Sequence, residues 1–297
     1  MTDMVAAVRR FNRTVTQRVG ALNDRFLATD RPLAAARLLW EIGPDGCEVR
    51  ALRTRLGLDS GHTSRLLRSL ESDGLVTVRA SRADGRVRTA YLTEAGLAER
   101  AVLDDRSDEL ARSLLAPLSR RQQDRLVAAM QDVERLLTAA SVTIRAVDPT
   151  HPDARAGIRA YLTELDRRFP EGFDARSGVT AEPHELRPPA GEFLVAYLRS
   201  EPVGCAAVKH HREDAWSEIK RVWVADAVRG LGLGRRLLGE LERRADVAGA
   251  KVVRLDTHRS LTEAAGLYRS AGYREIGAYN DNPFAHHWFE KNLSQPS

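Results

Sequence analysis

Cysteine is almost absent: Cys47 and Cys205 are the only two in 297 residues. They stand far apart and in no C-x-x-C arrangement, which argues against a disulfide framework and a zinc site and leaves two reduced packing residues. No metal is expected. Lysine is nearly as scarce, with Lys209, Lys220, Lys251 and Lys291 all in the last third, so the positive charge elsewhere is arginine. Long apolar runs are missing as well. Nothing approaches the roughly 18 consecutive apolar residues of a membrane helix. The start, "MTDMVAAVRRFNR", turns basic early and has no apolar core or small-residue cleavage site. These absences predict a cytoplasmic protein without a membrane partner. There is no internal repeat and no low-complexity tract.

What is present is an ordinary globular composition, 43% hydrophobic and 29% charged, with a formal net charge of +5. At roughly 150 residues per domain, the length predicts two domains. Residues 1–141 hold 23 Arg against 19 Asp plus Glu, so about +4 of the net charge lies in the first half and favours an anionic partner. Periodicity divides the chain at the same place. Up to residue 140, apolar residues recur at spacings of three and four, the mark of amphipathic helices. From Val142 short β-rich runs take over: "VTIRAV", "EFLVAYLR", "PVGCAAVKH", "SEIKRVWV", "KVVRLDTH" and "HHWFEKN". The boundary is placed near Ala140–Ser141, giving domains 1–140 and 141–297. Inside the second domain, "RFPEGFDARSGVTAEPHELRPPAGE" is a long loop of the kind that is usually functional.

In the first half, "CEVRALRTRLGLDSGHTSRLLRSLESDG" contains two short helices joined by "GLD", with Gly57 in the turn and Asp59 as N-cap. This is helix-turn-helix spacing. Leu66, Leu67 and Leu70 share one face of the second helix, leaving Ser60, His62, Thr63, Arg65 and Arg68 outward to meet base edges in the major groove. "LVTVRASRADGRVRTAYLT" follows, two alternating runs joined through "ADGR" and flanked by Arg79, Arg82, Arg86 and Arg88. A basic hairpin behind a recognition helix is a wing suited to phosphate or minor-groove contact. The alternative is a solvated arginine surface on a helix pair that only packs.

The stretch "LVTVRASRADGRVRTAYLTEAG" resembles the wing signature of MarR-family winged-helix regulators, with Asp84 and Arg86 at the D-x-R positions and "LTEAG" opening the next helix. The resemblance covers roughly residues 5 to 140. It implies a homodimer held by the first and last helices of this region, with two recognition helices on a pseudo-palindromic DNA operator.

In the second half, "RGLGLG" follows the β-like "SEIKRVWV" and precedes the helical "RRLLGELERRA". A Walker A loop needs Lys and Ser or Thr where Arg235 and Arg236 stand, and a dinucleotide fingerprint needs glycine at 235 or 237. Asp256 mimics the acidic ribose contact, but the strands before the loop form a meander. The remaining pattern is R-x-x-G-x-G on Arg229, Gly232 and Gly234. Its glycines permit close backbone approach, and its helix N-terminus attracts an anion such as a pyrophosphate. The helix is expected to bury Leu237, Leu238, Leu241, Ala245 and Ala248.

"SEIKRVWVADAVRGLGLGRRLLGELE" closely resembles motif A of the GNAT acetyltransferases, and "LTEAAGLYRSAGYREIG" resembles their motif B. The resemblance spans about residues 142 to 292. It implies acetyl-CoA as co-substrate. The backbone amides of Arg229, Gly230, Leu231, Gly232, Leu233 and Gly234 would hold its pyrophosphate, and Val222 and Val224 would pair with the pantetheine arm. Two positions depart from the pattern: Asp226 where proline is frequent, and Leu261 where asparagine often opens motif B. The fold class implied is a mainly α winged helix-turn-helix followed by an α/β (α+β) domain with a central mixed, mostly antiparallel sheet.

Acetyl transfer to an amine needs a free amine, a donor to the developing oxyanion and an acid for the thiolate. Glu218 matches the position of the histone acetyltransferase general base and is expected on the same strand face as Val222 and Val224. The alternative is an exposed glutamate paired with Lys220 or Lys209. Tyr268 sits where many GNAT enzymes protonate the CoA sulfur, and the alternative is an aromatic packed on the sheet. The Val222 N–H is the chosen oxyanion donor, and Tyr273 reads as core. In "AYNDNPFAHHWFEKNL", Asp281 and His286 are weak acceptor-binding candidates, as are Glu171 and Phe173 in the long loop. His286 and His287 are no metal pair, since strand neighbours face opposite ways. The expected function is a regulator that also acetylates an amine, small-molecule rather than histone-like. Alternatives are a non-catalytic acyl-CoA sensor on a DNA-binding protein, and an acetyltransferase whose winged helix only dimerises it.

Overall fold

The computed structural model describes residues 2–21, 27, 29, 31–80, 87–170, 172–174 and 181–293. Two compact units, Met1–Ala129 and Met130–Ser297, divide the chain inside a helix.

The first unit holds α1 (Thr2–Arg18), α2 (Leu33–Ile42), β1 (Cys47–Glu48), α3 (Val49–Leu56), α4 (Ser60–Ser72), β2 (Val76–Ala80), β3 (Arg88–Leu92) and α5 (Glu94–Leu115), and α6 (Arg120–Ser141) begins in it. The turn between α3 and α4 forms as its residues dictate. Gly57 takes the left-handed conformation at φ 63°, and the Asp59 carboxylate accepts the His62 N–H at 2.8 Å. Leu38, Leu39 and Ile42 of α2, Leu52 of α3, Leu67 and Leu70 of α4 and Leu103 of α5 form one core with Cys47 and Ala90. Each fully buried leucine or isoleucine contributes about 1.5–3 kcal/mol. β2 and β3 pair antiparallel from Val76↔Leu92 to Ala80↔Arg88, and β1 lies on the other edge of β3. Thr93 caps α5 by accepting the Gly96 N–H at 3.0 Å. By contrast, α1 leaves Met4, Val5, Val8, Phe11 and Val15 exposed, and α6 buries no residue at all.

The second unit is a seven-stranded sheet in the order β4-β5-β6-β7-β8-β10-β9. Its strands are β4 (Thr143–Ala146), β5 (Gly191–Leu198), β6 (Glu201–His211), β7 (Trp216–Val224), β8 (Val252–Thr257), β9 (Arg274–Ile276) and β10 (His287–Asn292). All neighbours are antiparallel except β7 and β8. The helices are α7 (Pro152–Arg168), α8 (Leu233–Val247) and α9 (Thr262–Ser270). Strand alternation gives each face its own core. Leu194, Ala196, Ala206 and Val208 pack with α8, whereas Phe193, Val195, Cys205 and Ala207 pack with Ala154 of α7. Six strands were legible as β-rich runs; β9, three residues long, is too short to show an alternation. Both cysteines are buried and unpaired, and burial pushes the Cys205 thiol up to about 12. Among the described residues no helix is long and apolar enough to cross a membrane.

Candidate functional site

β7 and β8 are in parallel register only at Trp216↔Val252, Ser217↔Val253 and Glu218↔Arg254. Beyond Glu218 the strands part, and the β7 edge that faced β8 has no strand partner among the described residues. On its other edge β7 carries a bulge. Lys220 stands opposite Ala207 and Trp223 opposite Cys205, so Arg221 and Val222 together oppose Ala206. Arg221 absorbs the extra residue at φ 56°. The bulge shifts the side-chain alternation, because Ile219, Val222 and Val224 all pack on the α8 core. The expected common face of Glu218, Val222 and Val224 is therefore corrected: Glu218, the neighbour of Ile219, points the other way.

After a 3-10 turn at Asp226–Val228, the chain enters α8 through Gly230 and Gly232, both at φ 76°. A side chain is strained in that region, while glycine is not. The N–H groups of residues 230–235 donate to no backbone carbonyl among the described residues, as the open first turn of a helix leaves them. Gly230, Gly232, Leu233 and Gly234 line a cavity of about 480 Å³ together with Val222 and Val224. Leu231 turns its side chain toward the α8 core. Arg229 does not extend the amide row, which is a second correction. Its N–H donates to the Asp226 carbonyl at 3.2 Å. Its guanidinium ties the Val224 carbonyl at 2.9 Å to the Asp226 and Glu164 carboxylates. Arg229 thus fixes the mouth of the loop, and Asp226, where proline was the familiar residue, is one of its partners. Along α8 the expected burial holds for Leu237, Leu238, Leu241 and Ala245, but Ala248 is only half-buried and Ala250 takes the last core position.

A second cavity of about 100 Å³ adjoins the first, sharing Tyr161, Val222, Leu261 and Ala264 with it. Leu261 starts α9 without a side-chain cap. Tyr268 lines this second cavity; burial first, and then Asp256, raises its hydroxyl above the ordinary tyrosine range. It stays protonated at neutral pH. Tyr161 of α7 lines both cavities and is raised for the same first reason. It was missed because it lies in a plain amphipathic helix run. Tyr273 is buried, as expected of core.

Lys220 and Asp256 face the second cavity, and Glu218 lines neither. Lys220 Nζ lies 2.7 Å from Glu218 and 3.1 Å from Asp256. Burial opposes the lysine's charge, but the two carboxylates raise its pKa. Glu218 is 5% exposed and accepts from Tyr279 at 2.9 Å and Asn280 at 3.3 Å. Desolvation works against its ionisation, yet His211, Lys220 and Tyr279 hold its pKa down at about 2. So Glu218 is neither exposed nor shared with Lys209, which pairs with Glu185 at 2.6 Å.

The C-terminal turn places Asn282 at the second cavity, where its amide donates to Asp256 at 3.0 Å. Asp281 is exposed and lines neither cavity; His286 stands edge-on to His258 at 4.5 Å, also outside both linings. Phe173 lines the second cavity with Phe284, ring centroids 4.9 Å apart, and Phe169 stacks on His258 at 3.8 Å. Glu171 lies outside the described residues.

In the first unit Ser60, Arg65 and Arg68 are exposed on α4 and His62 is half-buried. Thr63 is a further correction: it is 1% exposed, and its hydroxyl donates to the Asp59 carbonyl at 2.8 Å. Standing four residues before Leu67, it belongs to the buried face. A concavity of about 460 Å³ gathers Ser60, Thr63 and Ser64 with Arg88 and with Arg50 and Arg53 of α3. Those two α3 arginines were not among the expected contacts. Arg82, Asp84 and Arg86 lie outside the described residues.

A mixed sheet split at its one parallel pair, with a glycine-turned helix N-terminus at the split, defines an acyltransferase fold. A winged helix-turn-helix precedes it in the chain. Comparison with known proteins gives both parts a family. The acetyltransferase (GNAT) family model matches residues 159–273, and the MarR family model matches residues 29–87. The IAA acetyltransferase of Azospirillum brasilense is 32% identical over 127 residues, which are 42% of this chain and 83% of that protein. The human N-acetylaspartate synthetase is 31% identical over 128 residues, 43% of this chain and 42% of that protein. A solved GNAT-family acetyltransferase from Staphylococcus aureus superposes with a TM-score of 0.44 at 15% identity, covering 52% of this chain and 99% of its own. The chain belongs to the GNAT acetyltransferase family and carries a MarR-family region ahead of that domain. Acetyl-CoA is the co-substrate of such a domain. The open amide row at the start of α8 fits its pyrophosphate, and the unpaired β7 edge fits its amide-bearing arm.

Proposed function

We propose that this chain is a DNA-binding regulator whose second domain, residues 141–297, transfers an acetyl group from acetyl-CoA to a small amine. One observation carries the enzymatic reading: the cavity beside the amide row adjoins a second one, across four shared lining residues, that is lined by a buried, protonated tyrosine. Acetyl-CoA supplies the thioester. The amides of Gly230 to Gly234 and the α8 N-terminus hold its pyrophosphate, and the β7 edge at Val222 and Val224 aligns its arm. The ammonium proton of the acceptor passes to Asp256 and then to water. The freed amine attacks the acetyl carbon, the new N–C bond forming as the C–S bond breaks. The Val222 N–H donates to the carbonyl oxygen, Tyr268 gives its proton to the departing sulfur, and the second proton, shed by the acylated nitrogen, restores the Tyr268 hydroxyl. Glu218, at the position matched to the family's general base, lines neither cavity and acts through Lys220 as a positioning residue.

In the first domain, residues 1–140, the exposed apolar stripes of α1 and α6 suit a homodimer. Two copies of α4 then read a pseudo-palindromic operator through Ser60, His62, Arg65 and Arg68, with Arg88, Arg82, Asp84 and Arg86 of the wing against the phosphate backbone or minor groove. Acetyl-CoA consumption across an amine panel tests the enzyme. Tyr268→Phe is expected to lower kcat by about 100-fold or more while leaving acetyl-CoA affinity unchanged. Tight acetyl-CoA binding with no turnover of any amine would instead make the domain an acyl-CoA sensor.

A further inference from the structure

The second cavity is lined by a half-buried cation that no carboxylate among the described residues pairs with. Arg221 lines it, and one of the guanidinium's five N–H groups donates to the Ala181 carbonyl at 2.7 Å. No carboxylate lies within ion-pair distance of it among the described residues. The cations around it are served differently: Lys220 by Glu218 and Asp256, Arg168 by Glu164 and Glu263, Arg229 by Glu164 and Asp226. Glu182 acts on Arg221 only through space, and its side chain caps the 3-10 turn at Pro183–Leu186. Burial lowers the guanidinium's pKa, first through desolvation, though arginine remains charged in proteins. Holding a charge without an ion-pair partner partly away from water is costly, and so is a left-handed backbone under a long side chain. Both costs fall on one residue, at the bulge where β7 leaves β8.

We propose that the acetyl acceptor is an amine bearing a carboxylate, of amino-acid size, and that Arg221 binds that carboxylate. The inference rests on the second cavity being the acceptor site. A guanidinium fork matches a carboxylate in bidentate fashion, and the pairing is strongest where water is excluded. The same cavity presents the Asp256 carboxylate for the ammonium group, which gives it complementary signs for a zwitterion. Phe169, Phe173 and Phe284 leave an apolar wall for a side chain, and the small volume sets the size.

The test uses the full chain saturated with CoA, titrated calorimetrically with the twenty standard L-amino acids and with their C-amidated and decarboxylated counterparts. Acetyl-CoA turnover is measured on the same panel. At least one amino acid is expected to bind, and its amide and decarboxylated form to bind about 100-fold more weakly. Arg221→Gln removes the difference between the acid and its amide, Arg221→Lys restores part of it, and both variants keep the acetyl-CoA affinity of the parent, which shows that they fold. Equal binding of acids and amides, no binding by any acid, or a preference that survives Arg221→Gln would each overturn the proposal. Selective binding without turnover would leave the carboxylate site standing and sink the transferase reading alone.

Discussion

The two parts of this chain use charge in opposite ways. On α4 the arginines stand in water: Arg65 and Arg68 are exposed, and neither has an ion-pair partner among the described residues. At the split of the second sheet the charges are buried and interlocked, with Lys220 held between Glu218 and Asp256 and both carboxylates braced by Asn280. A solvated charge attracts a polyanion through the ionic atmosphere and contributes little to folding. A desolvated one is expensive unless its partners are in place, so it is tied to the fold. One sequence property, a high density of charged residues, therefore has two physical meanings that composition alone does not separate.

The sharpest way to break this contrast is Lys220→Met. It leaves Glu218 and Asp256 buried together without their shared cation, and urea unfolding is expected to show a loss of about 3–5 kcal/mol. The matching change on the other unit, Arg68→Ala, is expected to stay within about 0.5 kcal/mol of the parent. Equal effects of the two would mean that the buried cluster is hydrated and the distinction false.

Acid titration examines the same cluster from the proton side. The Glu218 pKa is held at about 2, below the ordinary carboxylate value of 4.5. A depressed pKa means that the unfolded chain binds the proton more tightly than the folded one. The stabilisation is then complete above pH 4.5 and is lost as the pH falls toward 2. Glu218→Gln should flatten that limb of the stability curve, which chemical denaturation at a series of acid pH values measures. An unchanged acid limb would place the proton-linked stabilisation elsewhere.

How much of this was legible beforehand follows the range of the forces involved. The Gly57–Asp59 turn, the α4 core face and the glycine entry to α8 are local, and spacing reveals them. Thr63 stands four residues before Leu67 and seven before Leu70, so its spacing marks the buried face and only its polar side chain argues for solvent. The face of Glu218 was lost to the bulge at Arg221, since a single inserted residue leaves no mark in an alternating run. Tyr161, Lys220, Arg221 and Asn282 come from a helix, a strand and a C-terminal turn and meet only in the fold. "AYNDNP" gave a polar turn, but the interaction of its asparagines with Asp256 depends on tertiary geometry.

The smallest effect in free energy concerns the exposed charges. The double change Arg65→Ala/Arg68→Ala should leave stability and acetyl-CoA affinity unaltered, because both side chains are solvated and lie in the other unit. Each arginine that neutralises a phosphate releases about one counterion, so the slope of log affinity for duplex DNA against log salt should fall in magnitude by about 2. Fluorescence anisotropy with one duplex at several salt concentrations measures this. If the slope is unchanged while affinity drops, the two residues read base edges and not the backbone. If neither moves, α4 is not the DNA-facing helix, and the basic concavity lined by Arg50, Arg53 and Arg88 becomes the surface to change next.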